Sequence, residues 1–535
     1  MFTLLRCPRI CRQPKWAASS LLVLFSALNA ASATDVTTYH NDVARTGQNT
    51  RETILTLSNV NSTSFGKLFT MSVDGIIDAE PLYLSGVTIS AQSHNVLYAV
   101  TENDSVYAFD ADTGAQLWHV SMLLPGESPS DDHGCSQISP QIGITSTPVI
   151  DRASGPHGTI YVVAMSRKSS TYFQRIHALD ITTGAEEFGG PVAVQAKYPG
   201  SGDNSQGGFV IFDPAQYAER AGLLLLNHVI YTGWTSHCDA RPYTGWIIGY
   251  SESTLAQTSV LNVTPNGNEG SIWQAGAGMA AAGASIFFLD ANGTFDTSLN
   301  SRGFPVNGDY GNGFIKLSTV NNSLAVADYF EMFNTVQESN ADEDLGSGGV
   351  IVLPSMKDSS GKSRSLAVGA GKDSNIYIVE RNRMGKFNSN RNAIYQEIDG
   401  MLGGGLWSMP AYFNFTLYFA PVSNNLLQFS FSQARLSTTP VSKSSTTFPY
   451  PGSTPSVSSN GTANGIVWAI EHSGPDVLHA YSAGNVVNEL YNTNQASGGR
   501  DQFGQASHFG TPMIVNGKVY VGTTNSVVAF GLLAK

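Results

Sequence analysis

The sequence is short of cysteine, of charge and of long apolar runs, and each shortage excludes something. Its four cysteines (Cys7, Cys11, Cys135 and Cys238) include no C-x-x-C zinc spacing and no C-x-x-C-H haem attachment site. No Gly-rich phosphate loop, H-E-x-x-H pair or Gly-x-Ser-x-Gly elbow occurs. Only 13 % of residues are charged, and no long amphipathic helical pattern stands out. The one sizeable apolar stretch, from Ala17 to about Ala30, follows Arg6, Arg9, Arg12 and Lys15 and precedes Ala31-Ser32-Ala33. That order is an export signal with a small-x-small cleavage site, so residues 1–33 are expected to be removed, a signal anchor being the alternative.

The remaining 34–535 reads as a single domain. It carries no other membrane-length run, so no membrane span is expected. Losing four basic residues leaves 25 Lys and Arg against 41 Asp and Glu, a formal charge of −16. Such a surface repels phosphates and anionic lipid, which argues against nucleic-acid partners. A secreted, extracellular location is expected, or a periplasmic one if the source is bacterial. Cys135 and Cys238 then remain as an even pair and are expected to form a disulfide. Seven N-x-[ST] sequons, at Asn61, Asn103, Asn262, Asn292, Asn321, Asn414 and Asn460, are candidate glycosylation sites.

Glycine is abundant, at 54 residues, and short β-rich segments with turn signals recur. Two segments define a unit. Val96–Val100 and Val106–Asp110 lead into Ala111-Asp112-Thr113-Gly114, then Ala115-Gln116-Leu117-Trp118. Thr159–Ala164 and Ile176–Asp180 lead into Ile181-Thr182-Thr183-Gly184, then Ala185–Phe188. Each is two strands, a tight Asp-x-x-Thr-Gly turn, and a strand opening on an aromatic residue. Pro-containing strands precede such units around Pro81, Pro148, Pro410, Pro455 and Pro512. Proline lacks a donor and suits the start or edge of a strand.

The Ala-x-Asp-x-x-Thr-Gly-x-x-x-Trp signature at Ala108–Trp118 resembles the repeat of pyrroloquinoline-quinone dehydrogenases and their relatives, the quinoprotein-like propellers. Looser copies lie at Ile376–Glu380, Leu478–Tyr481 and Val527–Phe530. The resemblance implies an all-β, eight-bladed propeller of four-stranded antiparallel blades, with seven blades as the alternative. Seven blades are expected near 79–120, 146–192, 222–263, 274–333, 347–398, 405–438 and 453–492. The eighth, from Gly510, runs out one strand short. Phe65–Val73 resembles the aromatic outer strand and is expected to complete it, closing the ring.

In such a blade, loops joining strands two and three share a face with loops joining one blade to the next. These are the long loops here: 121–144, 193–221, 233–245, 262–278, 290–312, 334–349, 437–452 and 492–509. Long loops on a rigid scaffold are where binding and chemistry sit. Polar clusters fall on that face: Asp131-Asp132-His133, His237 with Asp239 and Arg241, Asn266 with Glu269, Asp309-Tyr310, Asp342-Glu343-Asp344, Lys372-Asp373, and Arg500-Asp501 with His508. Trp273 and Trp407 stand where inner strands begin.

Three functions follow. The resemblance implies a quinoprotein-type oxidoreductase of alcohols or sugars. In that family the quinone stacks on an aromatic floor beneath a disulfide between adjacent cysteines. A calcium ion held by Glu and Asn, an Asp base and an Arg or Lys contact complete the site. By position, Trp273 or Trp407 is the floor, Lys372 the quinone contact, and Asn266, Glu269 and Asp309 the oxygen ligands. The departure is that no adjacent cysteine pair exists. The second function is a cofactor-free enzyme (hydrolase, lyase or cyclase) using Asp132, His133, Asp309 or His508. The third is a non-catalytic protein- or carbohydrate-binding scaffold. In each enzyme reading the ligand is a small molecule, and the chain is expected to act as a monomer.

Overall fold

The computed structural model describes Thr34–Ala534, so the expected export signal lies outside the described residues. Among the described residues no helix is long and apolar enough to cross a membrane. The structure is built of antiparallel sheets, with one short parallel pair where Gln48–Asn49 lies beside Val457–Ser458. Eight contain a four-stranded meander, and two small sheets of three and two strands are additions in loops. The inner strands of the eight begin at Leu82, Val149, Leu224, Ala280, Ile351, Ala411, Ser456 and Met513.

The repeat signature explains how neighbouring sheets join. Asp110 Oδ1 accepts the N–H groups of Asp112 and Thr113 at 3.0 and 2.8 Å, which folds the turn tightly. Gly114 follows with φ of 77°. Asp180 and Gly184 repeat the arrangement one sheet later. The Trp118 indole lies against the Gly184 turn, and its Nε1 donates to Ile181 O at 3.1 Å. The tyrosine of strand two makes a second tie to the same place. Tyr98 Oη donates to Ile181 O, and Tyr418 donates to Ala483 O in the same way.

The same two ties join the last sheet to the first. Tyr520 Oη donates to Ala111 O at 2.9 Å, and the Phe69 ring lies where a Cβ on Gly114 would strike it at 2.7 Å. Phe69 belongs to Phe65–Ser72, which pairs antiparallel with Ser526–Leu532 as the fourth strand of the final sheet. Hydrophobic clusters agree. One contains Met513 and Tyr520 from the last sheet, Tyr98 and Phe109 from the first, and Ile160 from the second. Others join the second to the third, the third to the fourth, and so on to the last.

A feature absent from the sequence reading is a belt. Residues 36–52 visit the inner strand of every sheet in turn. Val36 exchanges hydrogen bonds with Tyr83, and Thr37 O accepts from Ile150 N. The Arg45 guanidinium donates to Leu223 O and Met279 O, while Ala44 O, Thr46 O and Gly47 O accept from Val352, Tyr412 and Val457. Asn49 Nδ2 donates to Ile514 O, and Glu52 accepts Gly517 N. Innermost strands have an unpaired edge. The belt satisfies part of all eight with one short segment.

The sixth sheet corrects one expected boundary. Its outer strand is Ser442–Phe448, paired with Asn424–Gln428, inside a stretch expected to be loop. Only Ser444 and Phe448 of that strand are buried, so a Ser/Thr-rich segment carries almost no hydrophobic alternation to read.

Candidate functional site

A cavity opens among the loops that precede the inner strands and those that join strands two and three. Its register is regular. The residue four places before each inner strand is Asp78, Thr145, Arg220, Gly276, Ser347, Trp407, Gly452 or Phe509. Arg220, Ser347, Trp407 and Phe509 line the cavity. Trp273, Asn292, Asp344 and Lys372 come from the adjoining loops. The belt meets these strands three to five residues further on, at Leu223, Val352, Tyr412 and Ile514. At about 3.3 Å per residue the lining lies up to roughly 10–17 Å to one side of the belt.

Five residues picked out from the sequence are brought together here: Trp273, Trp407, Lys372, Asp239 and Asp344 all line the cavity. Lys372 Nζ bridges Asp342 at 2.5 Å and Asp344 at 2.6 Å. Burial opposes the lysine charge, but Asp344 and Asp342 more than offset it and raise its pKa. Asp344 is 2 % exposed. Burial pushes its pKa up to about 6, with Lys372 restraining the rise. Trp407 meets Tyr450 edge-on at 5.8 Å.

Arg220 was not singled out in the sequence, and its setting is unusual. It is 3 % exposed, and its guanidinium lies over the Phe509 ring at 4.1 Å and the Trp273 ring at 5.4 Å. Nη1 is buried with no acceptor. The signal that would have found it is the register: Trp407 and Phe509 stand three residues before Pro410 and Pro512, and Arg220 holds the same place before a strand lacking proline.

The disulfide is present. Cys135 and Cys238 are bonded, with Cα atoms 5.6 Å apart, and tie loop 121–144 to loop 233–245. Cys135 lines a small side cavity that shares Gln137, Arg220 and Trp273 with the main one. A cystine therefore stands near Trp273, although its cysteines are far apart in the chain.

The other candidates are placed elsewhere. Asp132 caps its own loop, accepting from Gly134 N at 3.0 Å and Ser139 Oγ at 2.9 Å. His133 stacks on His237 at 4.0 Å, and burial lowers the pKa of both, that of His237 to about 3. Asp309 is buried, and burial raises its pKa to about 6. Its Oδ1 accepts Asn266 N at 2.8 Å, so it fastens a loop. Asn266 Oδ1 accepts Ser201 N and Oγ while Nδ2 donates to Asn307 O. Glu269 lies outside the lining, and burial raises its pKa. His508 stands 6.4 Å from the Tyr450 ring and next to Phe509 in the chain.

Two sequons do not suit a glycan. Asn262 is 2 % exposed, and its Nδ2 donates to Thr244 Oγ1 at 2.7 Å. Asn292 lines the cavity, and its Nδ2 donates to Asp342 at 2.7 Å. A sugar on either nitrogen would displace a hydrogen bond, buried at Asn262 and part-buried at Asn292. Asn321, Asn414 and Asn460 are exposed. Asn61 and Asn103 are half-buried, and Asn103 Nδ2 donates to Asp74.

No family model matches the chain, and no curated protein sequence matches it. Solved structures do. A quinohemoprotein alcohol dehydrogenase from Comamonas testosteroni is similar with a TM-score of 0.62 at 14 % identity, over 94 % of this chain and 81 % of that one. One from Pseudomonas putida gives 0.59 at 13 %, over 94 % and 81 %. A europium-containing methanol dehydrogenase gives 0.61 at 12 %, over 94 % and 98 %. The chain has the β-propeller fold of these quinoproteins.

Proposed function

We propose that this cavity is the active site of an exported, monomeric, eight-bladed propeller enzyme that oxidises a hydroxyl group of a small alcohol or sugar. The observation that carries the reading is the convergence of Trp273, Trp407, Arg220, Lys372 and Asp344 on one cavity at the loop-rich end of a quinoprotein fold. Two indoles suit a planar ring system, and two cations suit the carboxylates and carbonyl oxygens of a quinone such as pyrroloquinoline quinone. The nearby cystine agrees with this choice. That two of the similar structures are alcohol dehydrogenases and a third a methanol dehydrogenase supports hydroxyl oxidation.

A bound quinone supplies the two-electron acceptor. The chain supplies the base and the enclosure. Asp344 is ionised above about pH 6 and takes the proton of the substrate hydroxyl, in place of the candidates Asp132, His133, Asp309 and His508. Lys372 holds that carboxylate and keeps it anionic. Trp273, Trp407 and Phe509 exclude water from the reacting hydroxyl. Calcium held by Asn266 and Glu269 does not fit, because the Asn266 side chain is hydrogen-bonded to Ser201 and Asn307 of neighbouring loops and neither residue lines the cavity.

The test is a titration of the purified protein with pyrroloquinoline quinone, with and without calcium. Tryptophan fluorescence reports binding, and dye reduction reports oxidation of a panel of alcohols and sugars. Micromolar binding with turnover is expected, and Asp344→Asn should retain binding while turnover falls at least about a hundredfold. Absence of quinone binding at micromolar concentration removes the reading.

A further inference from the structure

A line of buried acids runs outward from the cavity across the end of the fourth sheet. The register of that sheet sets it. Leu289 pairs with Phe314, and Phe314 with Phe330, so Asp290, Gly313 and Glu331 stand side by side just beyond the strand ends. Gly313 carries no side chain, and the two carboxyls close over it. Gly313 N donates to Asp290 Oδ1 at 2.6 Å, and a Cβ on Gly313 would collide with Glu331 Oε1. On the cavity side, the segment following Asp344 lies on Asp290, where a Cβ on Gly346 would collide with the carbonyl carbon. On the outer side, Thr335 Oγ1 donates to Glu331 Oε2 at 3.1 Å and opens the short helix Thr335–Ala341, which carries Glu338. Each acid has one oxygen held and one free. Asn334 Nδ2 donates to Glu338 Oε1 at 2.7 Å, while Asp290 Oδ2, Glu331 Oε1 and Glu338 Oε2 are buried with no partner among the described residues.

Asp290 and Glu331 are fully buried and Glu338 nearly so. The charges acting on them through space are acidic: Asp344 on Asp290, Asp290 and Glu338 on Glu331, and Asp373, Glu343 and Glu397 on Glu338. Burial is the largest effect. It raises Asp290 and Glu331 well above the usual carboxyl range and Glu338 up to about 8, so all three are mainly protonated at neutral pH. A carboxylic acid donates one hydrogen bond and accepts others, so a free oxygen on each leaves it able to pass a proton on. We propose that Asp290, Glu331 and Glu338 form a relay that carries the proton taken by Asp344 out of the closed cavity to the surface at helix Thr335–Ala341. Asp344 is itself buried, and Trp273, Trp407 and Phe509 keep bulk water from it once a ligand is bound, so the proton needs another exit. Asp344 gives its proton to Asp290, directly or through a water, as Asp290 gives its own to Glu331, Glu331 to Glu338, and Glu338 to solvent. One proton enters, one leaves, and each of the three acids ends protonated as it began. The relay rests on the reading above that places the substrate proton on Asp344.

The experiment has two arms. Infrared spectroscopy of the purified protein, with no quinone added, reads the acids directly. The carbonyl stretch of buried carboxylic acids should be present at neutral pH, shift in D₂O, lose intensity in Glu331→Gln and in Asp290→Asn, and be unchanged by EDTA. Ionised carboxylates in its place, or a carboxylic acid band that appears only in EDTA, would mean a bound cation between Asp290 and Glu331 and overturn the inference. This wild-type measurement decides even if neither variant folds. The second arm uses the quinone-loaded protein. A pH indicator in stopped flow reads proton release, and quenched samples read oxidised product. Glu331→Gln should slow proton release and lower kcat about tenfold or more, while kcat/KM and the first product formed stay within about twofold, because release follows the chemical step. Glu331→Asp keeps a transferable proton and should restore release to within about threefold of the wild-type rate. Equal losses of kcat and kcat/KM would mean a damaged site and refute the relay. Proton release unchanged in both Glu331→Gln and Asp290→Asn refutes it too and leaves the oxidoreductase standing. Protonated acids in a protein that binds no quinone remove the oxidoreductase reading, and the relay falls with it.

Discussion

The belt predicts a specific coupling between Arg45 and Gly278. Arg45 is completely buried and makes four hydrogen bonds: to Met279 O, Leu223 O, Tyr39 O and Thr38 Oγ1. It thus holds the belt to the third and fourth sheets at once. Arg45→Met leaves those acceptors orphaned, a loss of about 3–5 kcal/mol for a buried charged network. A chain of this length has an unfolding entropy on the order of 1 kcal/mol per degree, so the melting temperature should fall by about 3–5 °C. Gly278 lies beside the guanidinium. A Cβ there would stand 2.6 Å from Arg45 Nη2 and 2.8 Å from Cζ. Gly278→Ala should therefore lose about 1–3 °C by overpacking. In the Arg45→Met background the same change meets a flexible thioether and should cost less than about 0.5 °C. Calorimetric scans of the two single variants and the double variant at one scan rate measure this. Additive losses, or an Arg45→Met loss below about 1 °C, would refute the claim that the guanidinium clamps belt to ring.

Three other outcomes follow from the geometry. The Cys135–Cys238 bond spans 103 residues, so reduction or Cys135→Ser with Cys238→Ser should cost about 4–5 kcal/mol, seen as a melting shift of about 4–5 °C; no shift would mean that the clamp does not restrain the unfolded chain. Peptide mass spectrometry of protein from a eukaryotic host should find Asn262 and Asn292 unmodified, with any glycan at the exposed Asn321, Asn414 or Asn460; a glycan on Asn292 would contradict the cavity wall. If Asp344 is the base, kcat/KM should fall tenfold per unit below about pH 6 and stay level above it, because the raised pKa leaves the carboxyl protonated in acid. An acid limb near pH 4 would assign the base elsewhere.

The fold was legible where chemistry forces a local shape. Asp-x-x-Thr-Gly can only be a tight turn, and an aromatic residue four places past its glycine, at Trp118, marks the strand that covers the next sheet. Pairing of Phe65–Ser72 with the last sheet followed from one missing strand. The belt was not legible, because residues 36–52 bond through backbone groups and buried polar side chains and show neither period 2 nor period 3.6. In the site, Trp273, Trp407 and Lys372 were found by their place at strand beginnings and in long loops. Asp309 and Asn266 misled for a physical reason: polar residues in a compact loop are as readily used to hold the loop as to hold a ligand.

That contrast points to how the site is specified. Eight similar sheets deliver the fourth residue before each inner strand to equivalent positions, so the backbone alone builds a symmetric mouth. Chemistry enters only through what occupies those places. Asp78, Arg220, Trp407 and Phe509 carry charge or rings, whereas Gly276 and Gly452 contribute no side chain. Of the eight places, Arg220, Ser347, Trp407 and Phe509 line the cavity. A long-range cystine stands beside such a site by joining loop 121–144 to loop 233–245, with the Cα atoms of Cys135 and Cys238 5.6 Å apart. Adjacency of two cysteines in the chain is therefore not required for adjacency of a cystine to Trp273. Sequence motifs that insist on the first will overlook propellers that achieve the second.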